Sequence, residues 1–244
     1  MSLLSVQALS AFHGLLPAVR DLSLEVHAGE KIALVGANGA GKTTLLRSIA
    51  GVHRVGGGKL VFDGADITHQ TAHQRVAAGI ALVPEGRRLF ASMTVEENLL
   101  VAKASGRHGP WNLDTVMDAF PQLKPKRRAR AGELSGGQQQ SVAIGRALMT
   151  NPRLLLLDEL SLGLSPIAVR GVYESLQGLM TRPENQGDGG TTLILVEQDL
   201  QRVFSVADRI VCLLEGRIVA QGKASDMTRE QVMAHYFGNR EATP

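Results

Sequence analysis

Short apolar runs alternate with amphipathic stretches along this chain, the pattern of an α/β domain built on a mainly parallel sheet. Residues 31–35, 80–84, 154–158 and 193–197 are predicted as core strands. Three of them are nearly continuous in apolar residues, as strands covered by helices on both faces require. Residues 3–9 and 22–26 alternate between apolar and polar, and 59–62 follows the glycine-rich bend 56–58, so an antiparallel β portion is expected to flank the N-terminal end. The stretch 87–133 changes period: 94–104 and 113–120 carry helical spacing and are joined by the breakers Gly106, Gly109, Pro110, Pro121 and Pro125. It reads as a small helical lobe inserted between two core strands. A polar, glycine-rich excursion is expected at 182–190. The organisation expected is one domain over 1–244, with the core and its β annex drawn from 1–86 and 134–222, the helical lobe from 87–133 and a helical tail from 223–244.

Composition narrows the function classes. With 244 residues, 44% hydrophobic and 20% charged, the chain can bury a sizeable core and is too apolar to be disordered. Its longest apolar runs, such as 154–157 and 193–196, fall far short of the ~20 residues that span a bilayer, and residues 1–10 lack the basic lead and apolar stretch of a secretory signal. A cytosolic location is expected. The lone cysteine, Cys212, sits in the apolar run 210–214, which excludes an internal disulfide and favours a buried, inert thiol. A balance of 26 Lys plus Arg against 23 Asp plus Glu, with 4% aromatics, argues against a nucleic-acid partner.

The chemistry begins directly after the first predicted core strand, with Gly36-Ala37-Asn38-Gly39-Ala40-Gly41-Lys42-Thr43, which fits the phosphate-binding pattern G-x-x-x-x-G-K-[ST] without exception. Glycines let consecutive amide N–H groups turn inward on phosphate oxygens, and the predicted helix 42–50, with Thr44 in its first turn, offers its N-terminal dipole to the same anion. Lys42 supplies a mobile charge for the β and γ phosphates, and the Thr43 hydroxyl is placed to ligate Mg²⁺. The four leucines 154–157 then deliver Asp158 and Glu159 to the carboxyl end of a buried strand, where α/β sheets bind ligands. Asp158 is expected to hold the metal, mostly through water, and Glu159 to orient and deprotonate an attacking water. Together they point to nucleoside triphosphate hydrolysis.

A third motif separates this chain from other phosphate-loop proteins. Leu134-Ser135-Gly136-Gly137-Gln138 leads into a helix predicted to run to about Met149, a second anion-binding helix start. This segment resembles the signature of ABC transporter ATPases, and the resemblance covers nearly the whole chain. It implies the ABC ATPase fold: a phosphate-loop core with a mainly parallel sheet, an antiparallel β annex and an inserted helical subdomain. It also implies ATP with Mg²⁺, and two subunits facing head to tail so that the signature of each closes over the γ-phosphate held by the other. The segments 83–90, 94–99, 143–148 and 161–164 resemble most the ATP-binding subunits of branched-chain amino acid importers. The implied partners are a second ATPase subunit, identical or related, two membrane permease subunits and, through them, an extracytoplasmic solute-binding protein. The implied place is peripheral, on the cytoplasmic face of the inner membrane.

Several positions depart from the general ABC pattern. Glu85 stands where most members have a glutamine; it can bind Mg²⁺ but cannot donate an amide hydrogen bond. Gln198 stands at the switch histidine, able to hydrogen-bond the γ-phosphate but carrying no titratable proton near neutral pH. The adenine platform aligns with His13, with Phe12 adjacent, and in strand geometry only one of these rings can face the base. Leu160 replaces a proline that would fix φ, which predicts a looser loop to Leu164. His69 and His73 read as a solvated helix face rather than metal ligands. The basic run 124–130 reads as surface charge or as a contact for lipid headgroups or an acidic partner, and Trp111 and Phe120 as packing residues of the lobe. The competing functions are a soluble ABC ATPase clamp in DNA repair or translation and a hydrolysis-poor regulatory subunit.

Overall fold

The computed structural model describes residues 2–105, 107–180 and 191–236. In chain order it contains β1 (Ser2–His13), β2 (Leu16–His27), β3 (Lys31–Val35), α1 (Lys42–Ile49), β4 (Gly57–Phe62), β5 (Ala65–Asp66), α2 (Ala72–Ala78) and β6 (Ile80–Val83). There follow α3 (Val95–Leu100), α4 (Leu113–Ala119), α5 (Gly136–Leu148), β7 (Leu154–Asp158) and α6 (Pro166–Met180). The chain then runs through β8 (Thr192–Val196), α7 (Leu200–Val206), β9 (Arg209–Leu214), β10 (Arg217–Lys223) and α8 (Arg229–Tyr236). The fold is α/β, in two compact units: residues 1–75 with 192–244, and residues 76–191.

The first unit holds an antiparallel sheet of order β2-β1-β4-β5 and the strands β10-β9-β3-β8. β3 pairs parallel with both β8 and β9, whereas β9 and β10 form an antiparallel hairpin. The alternation read at 3–9 and 22–26 places Leu4, Val6, Leu22, Leu24 and Val26 in the core, each 3% exposed or less. The strands run further than that alternation, meeting across the turn at Gly14. Register shifts at Val6/Leu9 and Leu9/Ala11 absorb the left-handed residue Ala8, and each such bulge resets which side chains face inward. β3 and β8 are apolar and buried along nearly their whole length, as two-sided burial demands.

The second unit pairs β6 with β7 in parallel, Ile80 opposite Leu154 and Val83 opposite Leu157. Between β6 and β7 its helical elements fall in 95–148, α6 follows β7, and Trp111 and Phe120 are packed in its core at 6% and 0% exposure. The continuous helical stretch expected at 94–104 is shorter: Thr94 starts α3 with a reciprocal capping box to Glu97, and after Leu100 the chain tightens into a 3₁₀ turn over Val101–Ser105.

One reading is corrected. His69 and His73 do not share a helix, because Thr71 and Gln74 cap each other's backbone N–H groups and start α2 at Ala72, leaving His69 in the preceding turn. Two of the basic side chains at 124–130 are paired: Lys124 with Asp118 at 2.5 Å, and Arg127 with Glu96 through two bonds of 2.6 and 2.9 Å. The excursion 182–190 and the last residues of the tail, 237–244, lie outside the described residues.

Cys212 lies on β9, 1% exposed, and desolvation pushes its thiol up to about 11. At pH 8 roughly one thiol in a thousand would be ionised, and that one is inaccessible. Aromatic disulfide reagent should therefore leave the folded protein unlabelled over an hour and label one thiol per chain in denaturant. Fast labelling of the folded protein would contradict the burial.

Candidate functional site

In the first unit the phosphate loop spans the end of β3 and the start of α1. Two of its glycines are forced by the surrounding backbone. Gly36 has φ 150° and a side-chain carbon there would lie 2.2 Å from the Leu213 carbonyl oxygen; Gly41 has φ 98° and would meet the Ala18 carbonyl oxygen at 2.2 Å. The hairpin β9–β10 and the strand β2 thus close on the loop from outside and leave it no freedom but this turn. Gly41 is also the N-cap of α1, with no side-chain cap and no acidic residue in the first turn. By contrast, α3, α4 and α5 are capped by Thr94, Asn112 and Ser135. A positive helix end without a side-chain acceptor is what a phosphate would complete, so the residues present fit the anion.

Lys42 is 4% exposed and its Nζ donates to the carbonyl oxygens of Gly36 and Ala37 at 2.7 and 2.9 Å. The ammonium is therefore held inside the turn it serves. Ala40 closes the loop through its N–H to the Ala37 carbonyl at 3.1 Å, and Gly39 lies open, with nothing within 4 Å of an added side-chain carbon. Thr43 follows Lys42 in the first turn of α1, and Gln198 follows β8, whose Val196 stands opposite Leu34 of β3. That register brings Gln198 to the same sheet edge, where its amide Nε2 donates to Asn38 Oδ1 at 3.1 Å.

The two candidate platform rings separate clearly. His13 Nε2 lies 3.0 Å from the Thr44 hydroxyl, and its ring packs at 4.8 Å on His53 with a 58° tilt. Phe12 lies against Gly56, whose added side-chain carbon would fall 2.6 Å from the phenyl ring. His13 is therefore the ring directed at α1. His53 was not singled out in the sequence; only the β1–α1 packing reveals it.

Glu197 was also passed over. It is 2% exposed, accepts the backbone N–H groups of Gln198 and Asp199 at 2.8 and 3.1 Å, and has Arg202 at 4.0 Å. It fixes the turn that carries Gln198. Arg75 is a larger omission. At 2% exposure its guanidinium donates to the carbonyl oxygens of Gln70, Ser48, Ile49 and Thr68, closing the carboxyl end of α1, while burial pulls its pKa below the usual arginine range.

In the second unit β6 pairs with β7 up to Val83 opposite Leu157; Glu85 lies in the turn two residues after β6, and Glu159 directly follows β7. Asp158 is 1% exposed; Glu159 is partly buried and takes φ 47°, a left-handed turn immediately after the strand. Leu160, which stands in place of the proline, is itself 1% exposed. Ser135 caps α5: its hydroxyl accepts the Gln138 N–H at 3.4 Å and the Gln138 amide accepts the Ser135 N–H at 3.1 Å. Gly136 and Gly137 lie under Leu164 and Ala168, each 2.9 Å from where a side-chain carbon would stand. An open groove of about 770 Å³ lies before this helix tip, with Gln122, Ser165 and Ile167 on its other walls.

The chain matches the ABC transporter family over residues 19–161. It is 40% identical over 239 residues to the high-affinity branched-chain amino acid transport ATP-binding protein of Pseudomonas aeruginosa, covering 97% of this chain and 100% of that one. It is 34% identical to a probable branched-chain amino acid transport ATP-binding protein of Archaeoglobus fulgidus, over 86% of this chain and 88% of that one. Among solved structures it is similar to the ADP conformation of an ATP-binding cassette of an ABC transporter, at TM-score 0.79 and 26% identity, covering 97% and 95% of the two chains.

Proposed function

Because this chain belongs to the ABC transporter family and is an ATPase of that family, we propose that it is the cytoplasmic engine of an importer of branched-chain amino acids or closely related small solutes. The observation that carries this reading is the 40% likeness, over 97% of this chain and all of the relative, to the branched-chain amino acid transport ATP-binding protein of Pseudomonas aeruginosa. The chain itself recognises nucleotide. Solute choice belongs to the permease and to an extracytoplasmic binding protein.

The roles are assigned residue by residue. In the first unit the amides of 36–43 and the Lys42 ammonium hold the β and γ phosphates, Thr43 ligates Mg²⁺, Thr44 supports the loop, and His13 rather than Phe12 stacks on the base. Gln198 senses the γ-phosphate through its amide. In the second unit Asp158 and Glu85 are the carboxylate ligands for Mg²⁺, and Glu159 is the general base. Mg²⁺, when bound, neutralises charge developing on the transferred phosphoryl group. Ser135, Gly136, Gly137 and Gln138 form the tip that closes on the nucleotide of a facing subunit. Among the described residues no helix is long and apolar enough to cross a membrane, so the attachment proposed is peripheral, through permease subunits.

Uptake of radiolabelled leucine, isoleucine and valine tests the solute assignment. Deleting the gene should lower uptake to background; the wild-type chain should restore it, and a Glu159→Gln chain should not. Unchanged uptake of all three would overturn the assignment. Recovery of the tagged chain from detergent extracts bound only to ribosomes or nucleic acid, without integral membrane proteins, would overturn the transporter reading as a whole.

A further inference from the structure

The segment after Glu85 contains a feature that hydrolysis and phosphate binding leave unexplained. Gly86, Arg87 and Arg88 take φ values of 75°, 63° and 48°, three successive left-handed residues of which two have side chains. Each non-glycine residue in that region costs about 1–2 kcal/mol, so the turn is maintained by what surrounds it. Arg146 of α5 donates to the carbonyl oxygens of Arg87 and Arg88 at 3.2 and 2.8 Å, and lies 5.7 Å over the Phe90 ring. Asn98, fully buried, brackets Phe90, accepting its N–H at 2.9 Å and donating to its carbonyl at 3.0 Å.

The effect of this turn is to aim the Arg87 side chain back at the start of α5. One guanidinium nitrogen donates to Gln139 Oε1 at 3.0 Å, and Gln139 in turn donates to the Ala131 carbonyl at 3.1 Å. The other lies 3.5 Å from the Gly163 carbonyl oxygen and 3.3 Å from where a side-chain carbon on Gly136 would stand. A cation at the positive end of a helix does not stabilise that helix. The arrangement therefore serves something other than the stability of α5. Its forked donors join three segments: the loop after Glu85, the first turn of the signature helix and the turn at Gly163.

We propose that Arg87 is a positioning residue for ATP hydrolysis, fastening the Glu85 loop to the Ser135–Gln138 tip so that the tip is presented in a fixed pose to a facing subunit. The inference rests on the sandwich reading given above. Lysine cannot replace the fork, because a single ammonium does not reach two acceptors held by a planar guanidinium.

The test uses the full chain in a Glu159→Gln background, where ATP is bound but turned over slowly. ATP-driven association of two chains, followed by light scattering, should weaken at least ten-fold in Arg87→Ala and recover only partly in Arg87→Lys. ADP binding to the separate chain should stay within two-fold. Without the Glu159 change, Arg87→Ala should lower kcat about ten-fold with KM within two-fold, and Gln139→Ala should reproduce the defect without adding to it. If the Glu159→Gln parent does not associate with ATP, the sandwich reading falls and this inference with it. If the parent associates and Arg87→Ala matches it in association and kcat, Arg87 has no such role and the sandwich stands. A proportional loss of kcat, ADP affinity and thermal stability would show ordinary structural damage and overturn the proposal.

Discussion

Glu159→Gln should lower steady-state ATP turnover by about 10²- to 10⁴-fold, the range a positioned general base supplies, while leaving ATP affinity within about two-fold. The split follows from what the substitution changes. Glutamine has the volume and shape of glutamate and a similar tolerance for the left-handed φ of 47° at this position, so the turn after β7 should persist with Leu160 still buried beneath it. The nucleotide's phosphates are assigned to a different segment, the loop 36–43, which the change does not touch. What disappears is a carboxylate able to accept a proton from water. Phosphate release measured against nucleotide binding by fluorescence separates the two effects. Turnover above about one tenth of wild type would remove Glu159 from the role of base and turn attention to Glu85 in the turn after β6.

How much of this site could be read in advance depends on whether its determinants are local. The phosphate loop was legible because every requirement lies within eight consecutive residues, and the strand before it was legible because its apolar run is unbroken. Ser135 was legible for a similar reason: a serine with a glutamine three positions on is a capping pattern that needs no distant partner. The pairing of β6 with β7, Val83 opposite Leu157, was not, since register is fixed by tertiary packing. The choice between Phe12 and His13 likewise waited on Gly56, which accepts the phenyl ring, and on Thr44, which meets the imidazole. Some features had a signal that went unused. Thr71 and Gln74 form a capping pair that places the start of α2 after His69. Glu215 and Gly216, both left-handed, mark the two-residue hairpin turn between β9 and β10. Arg75 and Arg87 had no local signal. Each is an arginine in a polar stretch, and only the fold decides that one is buried and the other is aimed at a helix tip.

Arg75→Met should destabilise the first unit by about 3–5 kcal/mol, the loss expected when several buried carbonyl oxygens are left without their donor at about 1–3 kcal/mol each, part of it regained by relaxation. Four carbonyl oxygens, of Gln70, Thr68, Ser48 and Ile49, lose their donor at once. Bonds to a charged donor contribute about 1.5–3 kcal/mol each, and their sum is offset by the guanidinium's own desolvation, which is the cause of its lowered pKa. Methionine fills much of the volume, so the loss is electrostatic more than a matter of packing. For a chain of this length about 2–4 °C accompanies each kcal/mol, so Tm should fall by roughly 10 °C in calorimetry. Arg75→Lys should fall between, keeping the charge at the negative end of α1 but not the planar fork. Because Lys42, Thr43 and Thr44 stand at the other end of that helix, ATP affinity should weaken along with stability, which distinguishes this change from Glu159→Gln. A loss below about 1 kcal/mol would mean that Leu45, Leu46 and Ile49, all fully buried, hold α1 by their apolar face alone.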